Sequence, residues 1–224
     1  MLHFLVVSIL AIKLAMCANF PLPIGFWPLN DVFGLRDISG SGNDLNWVSS
    51  STEPVYSESN AIKLLGANND QYLSVTDSIF DMTNRSFTIS FVYQSGNFTG
   101  KVFEYGSTGG FNFQISNAGL FCVRGFETIL GPCESAGEPL TVQIPSLDWY
   151  FIVFSYSADS TVTNLCSARV PAFPVDATTI SSNCVTANVV APTMSPTTLN
   201  IGYILFCVSL FKCGQVSPQI DLSV

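Results

Sequence analysis

The sequence predicts an all-β protein, a single antiparallel β-sandwich. Only 11% of the 224 residues are charged, and Ser and Thr fill many polar positions, whereas helical surfaces are usually built from Glu, Lys and Arg. Short alternating apolar segments recur along the chain, separated by Gly, Asn, Asp and Ser. After Ala18, no stretch keeps a helical period.

Residues 1–18 have the composition of a secretory signal peptide. Met1–Leu14 is almost entirely apolar, and small residues follow up to Ala18. Cleavage after Cys17 or Ala18 gives a mature chain that starts near Asn19, which predicts a secreted, extracellular protein. A buried N-terminal strand is the alternative.

Predicted strands then follow at short intervals. The clearest is Ser86–Gln94, in which aromatic residues and Ile alternate with polar residues and Val92 is the exception. Trp149–Tyr156 is apolar on both faces, which predicts a central strand covered on both sides. The other predicted strands are Ala61–Leu65, Gln71–Val75, Lys101–Tyr105, Phe111–Ile115, Gly119–Arg124 and Leu140–Ile144.

The predicted strands form one domain over residues 19–203. Residues 160–197 combine Pro with many Ser, Thr and Ala, and predict long irregular loops pinned by Cys166 and Cys184. Residues 204–224 form an atypical C-terminal tail. Its apolar part ends at Phe211 and is too short for a bilayer, which takes about 20 residues. No transmembrane segment is predicted.

The cysteines predict disulfide bonds. Of seven cysteines, Cys17 leaves with the signal, and an even number remains in a secreted chain. Pairing of nearest neighbours costs least in loop closure, while free buried thiols are the alternative. The expected pairs are Cys122–Cys133, Cys166–Cys184 and Cys207–Cys213.

Two sequons predict N-linked glycans. Asn84 precedes Arg and Ser86, and Asn97 precedes Phe and Thr99. In a secreted chain, both asparagines are candidate glycosylation sites.

Charge and histidine content exclude several functions. The formal net charge is −8, so the surface repels nucleic-acid phosphates and offers nothing basic to anionic lipid. His3 is the only histidine and leaves with the signal. The mature chain therefore has no imidazole for a Ser-His-Asp or Cys-His hydrolase, nor for His-ligated zinc, copper or non-haem iron.

Six segments in order resemble the concanavalin A-like lectin/glucanase superfamily, in its laminin G-like or pentraxin-like branch. They cover about residues 26–203. They are Trp27-Pro28-Leu29-Asn30, Asp37–Leu45, Gln71–Val75, Ser86–Phe91, Trp149–Tyr156 and Thr198–Gly202. The resemblance implies a jelly-roll sandwich, a fold that hosts many activities.

The chain also departs from the family. Phe151 stands where the family has His, and the pentraxin His-x-Cys motif is missing. Tyr203–Val224 replaces the family's closing Gly-x-Ile-Asp-Asp strand. Either this segment takes the place of the closing strand, clipped by Cys207–Cys213, or it comes from an alternative transcript and leaves the sandwich open. Because its apolar residues do not alternate regularly, we expect the second.

Calcium is the ion that the resemblance implies. Asp37, Asn43 and Asp44 share a Gly-rich loop, and Asp37 matches a family position. Carboxylate and amide oxygens are calcium ligands. Asx and Gly residues also form turns without any ion, and the turn is the interpretation we favour.

The expected function is non-catalytic recognition of glycans or extracellular glycoproteins. No two acidic residues are separated by a single residue, so the glucanase motif Glu-x-Asp-x-Glu is missing. Trp47, Tyr56 and Tyr93 are candidates for a sheet face or rim, while Trp27 and Trp149 are expected in the core, and no ligand-binding residue is assigned. The alternatives are a structural matrix or coat protein and a degenerate glycoside hydrolase. The sequence leaves the oligomeric state open.

Overall fold

Fifteen strands run through the residues that the computed structural model describes. Those residues are 23–49, 55–56, 61–63, 71–77, 80–83, 85–94, 100–105, 111–116, 119–124, 140–144, 148–169, 183–188, 198–201 and 205–212. The strands are β1 Pro23–Trp27, β2 Asn46–Val48, β3 Val55–Tyr56, β4 Ile62–Lys63, β5 Tyr72–Thr76, β6 Phe87–Gln94, β7 Gly100–Tyr105, β8 Phe111–Ile115, β9 Leu120–Arg124, β10 Thr141–Gln143, β11 Trp149–Tyr156, β12 Val162–Arg169, β13 Asn183–Asn188, β14 Thr198–Ile201 and β15 Leu205–Lys212.

The strands form two antiparallel sheets. Sheet A has the order β13-β12-β11-β6-β15-β4-β3, with β1 also beside β15. Sheet B has the order β10-β9-β8-β7-β14-β5-β2. Neighbours in these orders are often distant in sequence, as expected of a jelly roll rather than a meander. The predicted antiparallel β-sandwich is confirmed.

Aromatic side chains fill the space between the sheets. Phe87 of sheet A stacks on Phe111 of sheet B, with ring centroids 5.5 Å apart. Phe154 of sheet A meets the edge of Phe113 at 5.3 Å. Phe91 also lies 5.6 Å from Phe113. These phenylalanines are almost completely buried, so their burial is the main stabilising contribution that joins the two sheets.

Eight predicted strands appear within a few residues of their expected bounds, and two expectations need correction. Residues 160–197 were expected to be irregular, but β12 and β13 lie within them. In β12 the inward residues Thr163 and Leu165 are fully buried, so the strand has the usual two-residue period despite its polar composition. Strand β11 is central, but its outward side chains remain partly exposed and the expected double cover is wrong.

The expectation of an open sandwich is also wrong. Strand β15 lies in sheet A, paired with β6 along most of its length and with β1 on its other side. Strand pairing uses backbone groups, so a segment without regular side-chain alternation still satisfies the N–H and C=O groups of both neighbours. The register shifts between Leu205 and Cys207, which accommodates the irregular sequence.

Several predicted features lie outside the described residues. These are the signal peptide 1–18, the sequons at Asn84 and Asn97, and Cys133 and Cys213. Cys122 is disulfide-bonded. Within the described ranges, no helix is long and apolar enough to cross a membrane.

Removal of β15 tests its role as the closing strand. We expect a chain truncated after residue 203 to lose cooperative thermal unfolding, because β1 and β6 would both become unpaired edges. A chain truncated after Cys213 keeps β15 and serves as the control. Circular dichroism melts and hydrogen exchange at the β6 amides provide the measurements, and equal protection in both truncations would contradict the assignment.

Candidate functional site

The structure brings the three predicted loop residues together around the carboxylate of Asp37. Its Oδ1 accepts hydrogen bonds from the backbone N–H of Phe26 at 2.9 Å and of Ser39 at 2.8 Å. Its Oδ2 accepts from the Ser39 hydroxyl at 2.9 Å and from the backbone N–H of Asn43 at 3.0 Å. The side chain therefore closes the loop and attaches it to β1.

Asn43 and Asp44 complete this attachment. The Asn43 amide donates to the Ile24 carbonyl at 2.9 Å, and its own backbone carbonyl accepts from the Trp27 indole N–H at 2.7 Å. Asp44 Oδ1 accepts from the backbone N–H of Asp37 at 2.8 Å. The fully buried Trp27 indole thus obtains the partner that burial requires.

The donor set of this loop does not fit a calcium ion. The Asp37 carboxylate has about four lone-pair sites, and four protein donors already occupy them. In the described ranges, no three His, Cys, Asp or Glu side chains gather as a metal site. The geometry favours the turn interpretation.

Substitution of Asp37 tests this structural role. In Asp37→Asn, the amide N–H₂ group would face the donors of Ser39 or Asn43 and could not accept their hydrogen bonds. We expect the free energy of unfolding to fall by about 1–3 kcal/mol. Asp159→Asn, in an exposed turn, is the control with an equal charge change. Thermal melts with calcium and with EDTA provide the measurement. A calcium-dependent rise of several degrees in the wild-type melting temperature would contradict the turn interpretation.

The predicted Cys166–Cys184 disulfide is present and joins β12 to β13. The two cysteines are directly opposite each other in the antiparallel register. Cys184 is exposed and Cys166 is half-buried, so the bond lies on the outer face of sheet A. Among the described strands, β13 is at the edge of the sheet, and the disulfide fixes it to its neighbour.

Loss of this disulfide should mainly loosen β13. Its separation of 18 residues corresponds to about 3 kcal/mol in the loop-entropy relation. We expect the double variant Cys166→Ala and Cys184→Ala to lose about 2–4 kcal/mol of unfolding free energy and to exchange its β13 amides faster. Urea denaturation and hydrogen exchange measure both effects. Unchanged protection of β13 would show that strand pairing alone holds the edge.

The outward positions of four neighbouring strands form a surface without ionisable side chains, which we call the uncharged face. The strands are β6, β11, β12 and β13, and their inward neighbours pack in the core. The residues of the uncharged face are Thr88, Ser90, Val92, Gln94, Trp149, Phe151, Val153, Ser155, Val162, Asn164, Cys166, Ala168, Cys184, Thr186 and Asn188.

One end of the uncharged face is a hydrogen-bonded row of hydroxyl and amide groups. The Thr186 hydroxyl donates to Asn164 Oδ1 at 2.8 Å. The Asn164 amide donates a longer bond to the Ser155 hydroxyl at 3.5 Å. Thr88 continues the row on β6, directly opposite Ser155. The row presents oriented polar groups across four strands.

The middle of the uncharged face is apolar. Phe151 lies opposite Val92 on one side and Ala168 on the other. In the next row, Val153 lies beside the disulfide-bonded Cys166. Trp149 stands at the far end, opposite Gln94. An aromatic and aliphatic strip is therefore bordered at both ends by hydrogen-bonding side chains.

The aromatic residues are distributed differently from the sequence expectation. Trp27 is in the core as expected, but Tyr93 is also fully buried there. Trp47 and Tyr56 pack partly against the core. Trp149, expected in the core, is half-buried on the uncharged face instead. Phe151, the next outward residue of the same strand, was not among the candidate surface aromatics predicted from the sequence.

The rim beside Trp149 carries a charged pair. Arg169 Nη2 lies 2.9 Å from Asp148 Oδ2. Burial raises the pKa of the nearby Tyr150 hydroxyl, and the negative charge of Asp148 raises it further, while Arg169 opposes the shift. At neutral pH, Tyr150 is therefore a neutral phenol, and the pair places no unbalanced charge at this rim.

The outer face of sheet B is chemically different. Lys101 Nζ lies 2.5 Å from Glu104 Oε1, and both side chains are at least partly exposed. Tyr72 is exposed on β5 of the same sheet. The outer surface of sheet B thus carries charged side chains that the uncharged face lacks.

Comparisons with known proteins agree with this fold. No protein-family model and no curated protein matches the sequence. Domain 4 of AbnA, a GH43 extracellular arabinanase from Geobacillus stearothermophilus solved with arabinotriose, has a TM-score of 0.52 at 8% identity, covering 86% of this chain and 93% of that domain. The binding domain of Botulinum neurotoxin DC, solved with rat synaptotagmin II, has a TM-score of 0.51 at 13% identity. That match covers 85% of this chain and 48% of the neurotoxin domain, so this chain spans about half of its length.

The Ca²⁺/Man-bound exoplasmic/lumenal domain of VIP36 has a TM-score of 0.49 at 10% identity, covering 88% of this chain and 93% of that one. Identities this low relate the proteins by fold alone. The fold of this chain is a jelly-roll β-sandwich.

Proposed function

We propose that this chain is a secreted, non-catalytic recognition module that binds glycans or extracellular glycoproteins through its uncharged face. We place it in the laminin G-like branch of the concanavalin A-like superfamily, on the sequence motifs given above. The signal-like residues 1–18 and the Cys166–Cys184 disulfide support an oxidising, extracellular location.

The observation that carries the proposal is the position of Phe151 between the two polar ends of the uncharged face. Sugar rings have apolar C–H surfaces that pack on aromatic faces and hydroxyl groups that need oriented hydrogen-bonding partners. Phe151 and Val92 offer the apolar contact, while Ser155, Asn164 and Thr186 offer hydroxyl and amide groups. Both requirements are met within one sheet surface.

The same surface supports a role without catalysis. Glycoside hydrolysis uses two carboxyl groups that flank one glycosidic bond. The residues of the uncharged face include no Asp or Glu, and Asp148 at its rim is engaged by Arg169. Binding therefore accounts for the groups that are present, and acid–base catalysis does not.

Substitution of Phe151 tests the site. A glycan array first identifies a bound glycan, and titration calorimetry then measures its affinity. We expect Phe151→Thr to weaken binding about tenfold, because stacking and apolar contact together contribute about 1–2 kcal/mol. Phe151→Tyr keeps an aromatic ring and should retain most of the affinity. The fold should persist, since Phe151 points away from the core and Thr favours strands.

The matched control is Tyr72→Thr, which removes an exposed aromatic residue from the outer face of sheet B. Equal losses of glycan affinity in the two variants would show that the glycan does not bind at Phe151. A secreted protein that binds no glycan on the array, with or without calcium, would instead support the structural matrix or coat role.

A further inference from the structure

We infer that the ligand is an uncharged, extended polysaccharide segment that lies along β11. This inference rests on the proposed function and adds the ligand's charge and length. The alternative ligands within the same function are acidic glycans, such as sulfated or sialylated chains, and single terminal sugars.

The first argument is electrostatic. Recognition of an anionic group uses Arg, Lys or an array of backbone N–H groups, and the residues of the uncharged face supply no cationic side chain. Arg169, at the rim, is paired with Asp148 at 2.9 Å. The formal net charge of the whole chain is −8, so an acidic glycan is also repelled over longer distances.

The second argument is the shape of the uncharged face. Its outward side chains on β11 run from Trp149 to Ser155, a distance of about 20 Å at roughly 3.3 Å per residue. The four strands are together about 14 Å wide, at about 4.8 Å per strand spacing. Polar groups lie at the two ends of this length, Gln94 at one end and Ser155 at the other, and apolar side chains lie between them. A single sugar cannot reach both ends, whereas a chain of several sugars can.

Matched pairs of polysaccharides test the charge. Affinity electrophoresis compares laminarin, mannan, xylan and galactan with a sulfated derivative of each. We expect at least one uncharged polymer to bind, and its sulfated form to bind at least about tenfold more weakly. Binding of the uncharged polymer should change less than about twofold between roughly 0.05 and 0.5 M NaCl, because no ion pair is screened.

A charge introduced on the uncharged face provides the specific control. Asn188 is exposed on β13, and Asn188→Lys places a cation beside the polar row. The affinity for the uncharged polymer divided by the affinity for its sulfated form should become about tenfold smaller in this variant, because the added cation attracts the sulfate groups. Thr76→Lys, at an exposed position on sheet B, adds the same charge elsewhere and should leave the ratio unchanged.

The outcomes separate this inference from the proposed function. If no polysaccharide or array glycan binds, the proposed function fails. If a sulfated or sialylated glycan binds more tightly than its uncharged form, the glycan-binding function stands and this inference is overturned. Equal affinity for a single sugar and for the hexasaccharide of the bound polymer overturns its second part, the extended ligand.

Discussion

The two-residue period of β6 and β11 is the constraint on which the rest of the structure depends. These adjacent central strands of sheet A place Phe87, Phe91 and Phe154 inward, against the phenylalanines of sheet B. The same period turns Val92 and Phe151 outward. A slip of one residue would exchange the two sets, exposing the aromatic core and burying amide and hydroxyl groups. Core packing therefore decides which residues of β6 and β11 lie on the outer face of the sheet.

The other half of sheet A depends on polar contacts rather than on alternation. Strand β15 closes the sheet through backbone pairing with β1 and β6, and β1 is held in turn by the Asp37 loop. Because Asp37 accepts four hydrogen bonds and Asn43 receives the Trp27 indole, this loop joins the closing region to the core. The hydrogen bonds of Trp27 and Asp37 thus give these residues a structural role in holding the loop to β1 and the core.

Sequence periodicity was sufficient for the strands with a clear apolar face, such as β6 and β8. The low cost of closing a short loop was sufficient for the Cys166–Cys184 pair. Periodicity failed for β15, since pairing depends on backbone groups and on which strands need a neighbour. It also failed to locate the uncharged face. In β11 both alternating sets are apolar, so only the register that places Tyr150 beside Tyr93 shows which set is inward. The irregular Val92, registered beside Phe151, was the signal that could have revealed the outer strip.

Preorganisation links the disulfide to the chemistry of the uncharged face. Thr186 lies on β13, an edge strand among the described residues, and edge strands open more readily than central ones. The Cys166–Cys184 bond lies two residues away on both strands and keeps the Thr186 hydroxyl in contact with Asn164. A glycan that meets an already ordered row loses less free energy to the ordering of side chains. In the proposed function, the disulfide would therefore contribute to recognition by holding the donor in place, without contact between its sulfur atoms and the ligand.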